Sequence, residues 1–172
     1  MPGFYRDLMK TSHPPVDTQP IVVGIDGSSG AHTALEWAVD EARQTARRIV
    51  IVHAAPLAEA VVLAPLTLLG FPDATSSGTE DLRRASDYCH RAGVSVATLL
   101  AEGSPADCLV DTSDGAAMLV LGARGHGRTA ALLLGSVSQD CARRAKCPVV
   151  IIKPKAALSA HGARQHDAVY RA

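Results

Sequence analysis

Apolar residues recur along the chain in two alternating patterns. Short, nearly continuous runs of Val, Ile, Leu and Ala predict buried strands at residues 21–25, 49–53, 94–100, 117–121 and 148–153. Between them, apolar or small residues spaced three and four apart predict amphipathic helices over residues 31–42, 79–92, 105–114 and 136–145. Strands that alternate with helices favour right-handed crossovers and a parallel sheet covered on both faces. In such an α/β fold a ligand binds beyond the carboxyl ends of the strands.

Three stretches of the chain show no such period. Residues 1–19 contain several prolines and predict a flexible N-terminal arm, and residues 155–172 predict a disordered, polar C-terminal tail. Residues 54–77 contain Pro56, Pro65 and Pro72, and predict a long irregular loop whose apolar residues pack on the site or on a second subunit. One domain over residues 20–154 therefore remains.

Composition narrows the classes of function. The chain has 172 residues, of which 47% are hydrophobic and 3% aromatic, and its 17 basic and 17 acidic residues balance. A neutral chain with few aromatic residues argues against nucleic-acid partners. Residues 61–71 are apolar but too few to span a membrane, and the start lacks a secretory signal, so we expect a cytoplasmic protein without a membrane partner. The cysteines lack metal-binding spacing and predict buried or half-buried thiols: Cys89, Cys108, Cys141 and Cys147.

A glycine-rich stretch follows the fourth predicted strand and carries the candidate chemistry. Gly122, Gly125 and Gly127 allow the backbone to bend through positive φ and to approach a ligand closely. A helix that begins near Gly135 and Ser136 would offer free N–H groups and the positive end of its dipole to an anion. The stretch is neither a Walker A sequence nor a usual dinucleotide fingerprint, which would follow the first strand. It predicts a phosphate site of another kind.

Four residues of this stretch fit the pattern G-x2-G-x9-G-[ST], namely Gly122, Gly125, Gly135 and Ser136. Three further landmarks occur in order: residues 23–28, residues 102–106 and residues 147–150. On these motifs, residues 20–154 resemble the universal stress protein family in its ATP-binding subgroup.

The resemblance implies a single-domain, three-layer α/β/α sandwich of the Rossmann-like, adenine nucleotide alpha hydrolase-like type. Its five-stranded, mostly parallel sheet would have the strand order 3-2-1-4-5. ATP would bind at the strand ends, with Asp26 near the ribose or adenine, Ala54 beside the adenine, and the glycine motif with Ser138 around the phosphates. The full set of expected nucleotide-binding residues is Ile25, Asp26, Gly27, Ala54, Leu121, Gly122, Arg124, Gly125, His126, Gly135, Ser136, Val137 and Ser138. Arg124, His126 and Arg128 are supplementary phosphate partners.

Several of these residues also have purely structural interpretations. Asp26 can cap the first helix, Ser136 can be the N-cap of the last helix, and the glycines can serve a tight loop. His126 can be a solvated loop residue. His53 is interpreted as a polar residue at a strand end rather than a catalytic base, and Trp37 as a partly exposed helix residue.

The sequence favours a binding module over a catalyst. It shows no acidic pair placed for a metal and no base near a γ-phosphate, so we predict no catalytic or metal-binding residues and at most slow ATP hydrolysis. The expected ligand is ATP, with or without Mg²⁺, and ADP, AMP and cyclic AMP are further candidates. The sequence is also compatible with a weak ATPase, with an autophosphorylating protein modified at Ser136, Ser138 or Thr129, and with a ligand-free interaction protein.

The resemblance also implies a homodimer, with any protein partner left open. The last strand would form an apolar edge of the sheet, and such an edge invites pairing with a second copy. The residues expected to pair are Val149, Val150, Ile151 and Ile152.

Overall fold

The computed structural model describes residues 19–55, 74–125 and 134–153. In these ranges strands and helices alternate as the sequence predicts. The elements are β1 (Ile21–Ile25), α1 (Ser29–Thr45), β2 (Ile49–Ala55), α2 (Ala74–Arg91), β3 (Val96–Glu102), α3 (Pro105–Thr112), β4 (Met118–Gly122), α4 (Ser136–Arg144) and β5 (Val149–Ile152). The predicted N-terminal arm, apart from Gln19, and the predicted C-terminal tail lie outside the described residues, as does most of the predicted loop.

The sheet confirms the predicted fold class. Its strand order is β3-β2-β1-β4-β5, and every neighbouring pair is parallel. The order reverses between β1 and β4, because the chain leaves the β1–β2–β3 side and returns to the far side of β1. This reversal opens a crevice at the carboxyl ends of β1 and β4. The last strand, β5, lies at an edge of the sheet, as predicted.

Apolar side chains are buried on both faces of the sheet. On one face Ile21, Val23, Ile49 and Ile51 pack with α1 and α2, and on the other face Val22, Val50 and Val52 pack with α3 and α4. Because both faces are covered, the central strands have continuous apolar sequences rather than alternating ones. Trp37 is half-buried on α1, as predicted.

The predicted long loop over residues 54–77 is wrong at both ends. β2 continues through Ala54 and Ala55, which pair with Ala101 and Glu102 of β3. At the other end, α2 begins at Ala74. The first turns of α2 contain Thr, Ser and Gly, which are poor helix formers, so the sequence there gives no helical signal.

The boundaries of β3 also differ from the prediction. The strand covers Val96–Glu102 instead of residues 94–100, and it forms the second edge of the sheet. Its edge position leaves Leu100 41% exposed, so burial does not mark where the strand ends.

Among the described residues, no helix combines the length and the apolar character needed to cross a membrane.

Candidate functional site

A cavity of about 370 Å³ lies at the carboxyl ends of β1, β2 and β4. The first turns of α1, α3 and α4 complete its wall, through Ala31, Pro105 and Ser136 respectively. Its volume falls within the range of roughly 300–1,000 Å³ that is typical of small-molecule sites. The sheet therefore places its reversal of strand order next to a cavity of ligand size.

Most of the nucleotide-binding residues expected from the sequence line this cavity. The nominated residues in its wall are Ile25, Asp26, Ala54, Leu121, Gly122, Arg124, Gly125, Gly135, Ser136, Val137 and Ser138. Gly27 is not among the lining residues: it has φ +79° and its Cα faces the carboxylate of Asp81 on α2. His126, Arg128 and Thr129 lie outside the described residues.

Gly122 and Gly125 are needed for close packing inside the protein. A Cβ atom on Gly122 would lie 2.6 Å from the carbonyl carbon of Gly30, in the first turn of α1. A Cβ atom on Gly125 would collide with Oδ2 of Asp26. Neither residue is among the described glycines with positive φ, so the chain does not use the positive φ that glycine allows at these two positions. The glycines instead allow the end of β4 and the loop after it to pack closely against the end of β1 and the first turn of α1.

The N-terminus of α4 is an open set of hydrogen-bond donors. Gly135 is the N-cap and has no side chain to accept a hydrogen bond, and the first helical bond is from the N–H of Gln139 to the carbonyl of Gly135. The N–H groups of Ser136, Val137 and Ser138 thus lack acceptors within the helix. The first turn carries no acidic residue that would compete with an anion. Ser136 is the first helical residue and not the N-cap.

Two hydrogen bonds fix this N-terminus to the end of β4. The N–H of Gly135 donates to the carbonyl of Ala123 at 2.8 Å, which closes the loop at its base. The hydroxyl of Ser138 donates to the carbonyl of Gly122 at 2.9 Å, and its side chain is buried. Ser138 therefore holds β4 and α4 together at the cavity wall.

Asp26 lines the cavity, but it does not cap α1. Its Oδ1 accepts a hydrogen bond from the N–H of Ser28 at 3.0 Å. Ser28 is the N-cap, because its Oγ accepts from the N–H of Ala31 at 3.2 Å. The Asx turn holds the carboxylate at the end of β1, beside Gly125.

The sequence did not predict several residues of the cavity wall. They are Gly24, Ala31, Val52, Pro105, Leu109 and Leu134. The strand period of two gives a signal for Val52, which shares a face with Ala54. Pro105 and Leu109 reach the cavity only because α3 packs against this face of the sheet, a contact that local sequence does not specify.

Arg124 supplies positive charge at the cavity. It is exposed, and its guanidinium makes no ion pair or hydrogen bond with any residue that the structure describes.

His53 is not part of the cavity wall, since its ring packs against Gly78 of α2 on the opposite face of the sheet. That position agrees with the structural interpretation of His53.

The cysteines are free thiols that do not line the cavity. Burial raises the pKa of Cys89 and of Cys141 to about 11. Cys108 and Cys147 are half-buried. In the described ranges, no cluster of three or more His, Cys, Asp or Glu residues could hold a metal ion.

Comparisons with known proteins agree with this architecture. The model of the universal stress protein family matches residues 18–153. Universal stress protein Rv2624c of Mycobacterium tuberculosis is 34% identical over 139 residues, which cover 78% of this chain and 48% of that protein. The chain thus spans about half the length of the curated mycobacterial relatives it matches.

Two similar solved structures contain adenine nucleotides. One is a universal stress protein in complex with cAMP, with a TM-score of 0.58 and 31% identity over 80% of this chain and 98% of that chain. The other is the universal stress protein from Archaeoglobus fulgidus in complex with dAMP, with a TM-score of 0.58 and 25% identity over 78% and 98% of the two chains.

Proposed function

Because this chain belongs to the universal stress protein family, we propose that its cavity binds an adenine nucleotide and that the chain belongs to the family's ATP-binding subgroup. ATP is the first candidate ligand, with or without Mg²⁺. The protein would act in the cytoplasm as a nucleotide-dependent regulatory module of the stress response, with hydrolysis slow at most.

The observation that carries this proposal is the open N-terminus of α4 at the cavity wall. Three backbone N–H groups lack acceptors within the helix, and the positive end of the helix dipole lies beside them. Arg124 adds a cation that is unpaired within the described ranges. Backbone donors, a dipole and a cation together match the chemistry of a phosphate chain.

The apolar end of the cavity suits a nucleobase. Val52, Ala54, Pro105 and Leu109 line it, and none of these side chains carries a polar group. An aromatic base buries its faces against such side chains. Asp26 also lines the cavity, and its carboxylate can accept hydrogen bonds from ribose hydroxyls.

Homodimerisation through β5 is the second part of the proposal. β5 is an edge strand with half-buried apolar side chains along its whole length, at Val149, Val150, Ile151 and Ile152. An edge of this kind exposes both unpaired backbone groups and apolar surface. A second copy of the chain would cover both.

The identity of the ligand is tested by native mass spectrometry of the purified protein, followed by extraction of any co-purified nucleotide. The proposal predicts a mass increase that matches an adenine nucleotide, or one that appears when ATP is added. A protein whose mass stays unchanged in the presence of excess ATP, ADP, AMP and cyclic AMP would contradict it.

Cyclic AMP is a second candidate, favoured by the similar structure that contains it. It has one phosphate and no free phosphate chain, so it would use the N-terminus of α4 and leave Arg124 with less to bind. A competition titration of ATP against cyclic AMP separates the two candidates. Release of phosphate from ATP, measured in parallel, tests whether hydrolysis is more than slow.

A further inference from the structure

The loop after β4 rests on the first turn of α1 at a position occupied by Gly30. A Cβ atom on Gly30 would lie 2.5 Å from the carbonyl oxygen of Arg124. Real Cβ atoms do not approach an oxygen this closely, and the oxygen belongs to backbone, which cannot rotate aside as a side chain can. The absence of a side chain at Gly30 is therefore what allows Arg124 to occupy its position.

The contact is reciprocal. Gly122, two residues before Arg124, faces the same turn of α1, and its own Cβ would lie 2.6 Å from the carbonyl carbon of Gly30 and 3.0 Å from the nitrogen of Ala31. Gly30 is buried at this contact, whereas Arg124 and Gly125 are exposed, so an added side chain at Gly30 would displace the loop outward. Helix and loop thus meet backbone to backbone across a pair of glycines.

This junction sets the position of the groups that face the cavity. On one side of it, Ala31 lines the cavity from α1, and on the other side Arg124 and Gly125 line it from the loop. The carbonyl of Ala123 accepts the N–H of Gly135 at 2.8 Å, so a shift of the loop also shifts the start of α4. The position of the backbone N–H groups that we propose for phosphate therefore depends on how closely the loop approaches α1.

We propose that Gly30 is a positioning residue for the phosphate end of the nucleotide site: it touches no ligand, and it sets the place of Arg124 and of the α4 N-terminus by letting the loop rest on α1. This inference rests on the proposed nucleotide function and extends it to a residue outside the glycine motif and outside the cavity wall.

We expect a substitution at Gly30 to weaken the binding of ligands that carry phosphate and to leave the binding of adenosine unchanged. Glycine is a poor helix former, so Gly30→Ala would by local propensity favour α1. The added methyl group nevertheless displaces Arg124 by several tenths of an ångström or more. Binding sites need their groups within about 0.5 Å of the productive geometry, so we expect Gly30→Ala to weaken ATP binding by about tenfold or more. Adenosine, which lacks phosphate, keeps its affinity because its cavity contacts lie with β1, β2 and α3.

The experiment compares calorimetric titrations of ATP and of adenosine into the wild-type protein, Gly30→Ala and the matched control Ser29→Ala. Ser29 precedes Gly30 in the first turn of α1, but it is exposed and absent from the cavity wall. The proposal predicts a loss for ATP alone, in Gly30→Ala alone. Unchanged ATP affinity in Gly30→Ala, or an equal loss for ATP and adenosine, would overturn it.

A second measurement on the wild-type protein decides the matter if Gly30→Ala does not fold. The backbone amide resonance of Gly30 is followed by NMR while inorganic triphosphate or adenosine is added. We expect the chemical shift of the Gly30 amide to change with triphosphate and to stay unchanged with adenosine. A chemical shift that does not change with triphosphate would overturn the inference. Failure of the wild-type protein to bind ATP at all would instead refute the proposed function, so the two failures are distinguishable.

Discussion

The glycines around the loop after β4 differ in what surrounds them. A Cβ atom on Gly122 would lie 2.6 Å from backbone of α1, whereas one on Gly135 would lie 3.6 Å from the carbonyl oxygen of Ala123, an ordinary contact. Gly135 also has φ −71°, which any residue adopts. The fold therefore requires glycine at the first position and tolerates a methyl group at the second.

We predict that Gly122→Ala lowers the free energy of unfolding by about 1–3 kcal/mol, because the methyl group forces backbone apart in a packed region. Gly135→Ala should cost less than about 1 kcal/mol. Urea unfolding of the two variants beside the wild type measures both values. A larger loss for Gly135→Ala than for Gly122→Ala would contradict the packing described for the loop.

Arg124 is expected to contribute to affinity through phosphate alone. Its guanidinium is exposed, so solvent screens it, and we predict that Arg124→Gln weakens ATP binding by about three- to tenfold, in keeping with a charge-assisted hydrogen bond near water. Adenosine should bind as before. Titrations at low and high salt provide the check, since the difference between wild type and variant should shrink as salt rises. Equal losses for ATP and adenosine would show that Arg124 acts on the whole site.

Burial of the thiols predicts an order of chemical reactivity. The pKa of Cys89 and of Cys141 is raised from 9.0 to about 11, so almost no thiolate forms on these residues at pH 8. Cys108 and Cys147 are only half-buried, so they should react with iodoacetamide before Cys89 and Cys141 in the folded protein, as peptide mass spectrometry can establish. Burial raises the pKa of Cys108 as well, so accessibility rather than pKa alone sets this order. Early modification of Cys89 would contradict the described packing of α2.

The same pKa shifts make a prediction about stability at alkaline pH. The pKa of Cys89 and of Cys141 is higher in the folded protein than the ordinary value of 9.0. Their contribution to the free energy of unfolding is therefore fully present below pH 9.0 and is lost as the pH rises towards 11. Cys→Ser variants at these two positions should reduce this alkaline loss, as measured by urea unfolding between pH 8 and pH 10. An unchanged pH profile would contradict it.

At the scale of single residues, the sequence could predict what strand ends and motif spacing specify. Asp26 and Gly122 follow buried strands directly, so parallel topology alone brings them to one edge of the sheet. Pro105 and Leu109 could not be predicted, because only the packing of α3 on the sheet brings them to the cavity. The assignment of the α1 cap to Ser28 rather than Asp26 also depends on a turn geometry that both residue types allow.

At the scale of elements, β5 is an edge strand whose side chains are all half-buried. Val150 and Ile152 pack against the core on the α1 side, and Val149 against the core on the α4 side. Ile151 is half-buried and belongs to neither of these packed groups. A charge at Ile151 should therefore disturb an edge-to-edge contact more than it disturbs the fold.

We predict that Ile151→Lys converts a dimer into a monomer, because a charged edge strand resists pairing. Ala97→Lys is the matched control, since Ala97 is exposed on β3, the opposite edge of the sheet. Sedimentation velocity at micromolar concentration distinguishes the states. A wild-type protein that sediments as a monomer, or an Ile151→Lys variant that stays dimeric while Ala97→Lys dissociates, would contradict pairing through β5.

Elements were predictable to the extent that burial follows a regular pattern along the sequence. β1, β2 and β4 are buried on both faces, and their apolar runs mark them clearly. β3 lies at an edge with several exposed side chains, so its predicted ends are displaced. α2 begins in a segment rich in Ser, Thr and Gly, so helix propensity does not mark its start in the sequence.

In the whole molecule, the cavity is one junction between both layers of helices and the sheet. α1 lies on one face and α3 and α4 on the other, and all three helices begin at the same cavity. The N–H of Ala123 donates to the carbonyl of Ile152 at 2.7 Å, which joins the base of the loop to the end of β5. The site and the proposed dimer edge are thus neighbours in one hydrogen-bonded structure.

The strand order followed from family resemblance rather than from composition or periodicity. The pattern of elements predicts a parallel α/β fold, but it does not say on which side of β1 the fourth strand inserts. The resemblance to the universal stress protein family supplied the order 3-2-1-4-5, which the structure confirms.

Isothermal titration calorimetry tests whether the cavity binds one adenine nucleotide per chain through its phosphates and base. ATP is titrated into the nucleotide-free protein, with adenosine and inorganic triphosphate as partial ligands and phosphate release measured in the same samples. We predict saturable binding of one ATP per chain, weaker binding of each partial ligand and negligible phosphate release. Absence of saturable binding by ATP, ADP, AMP and cyclic AMP alike would contradict it.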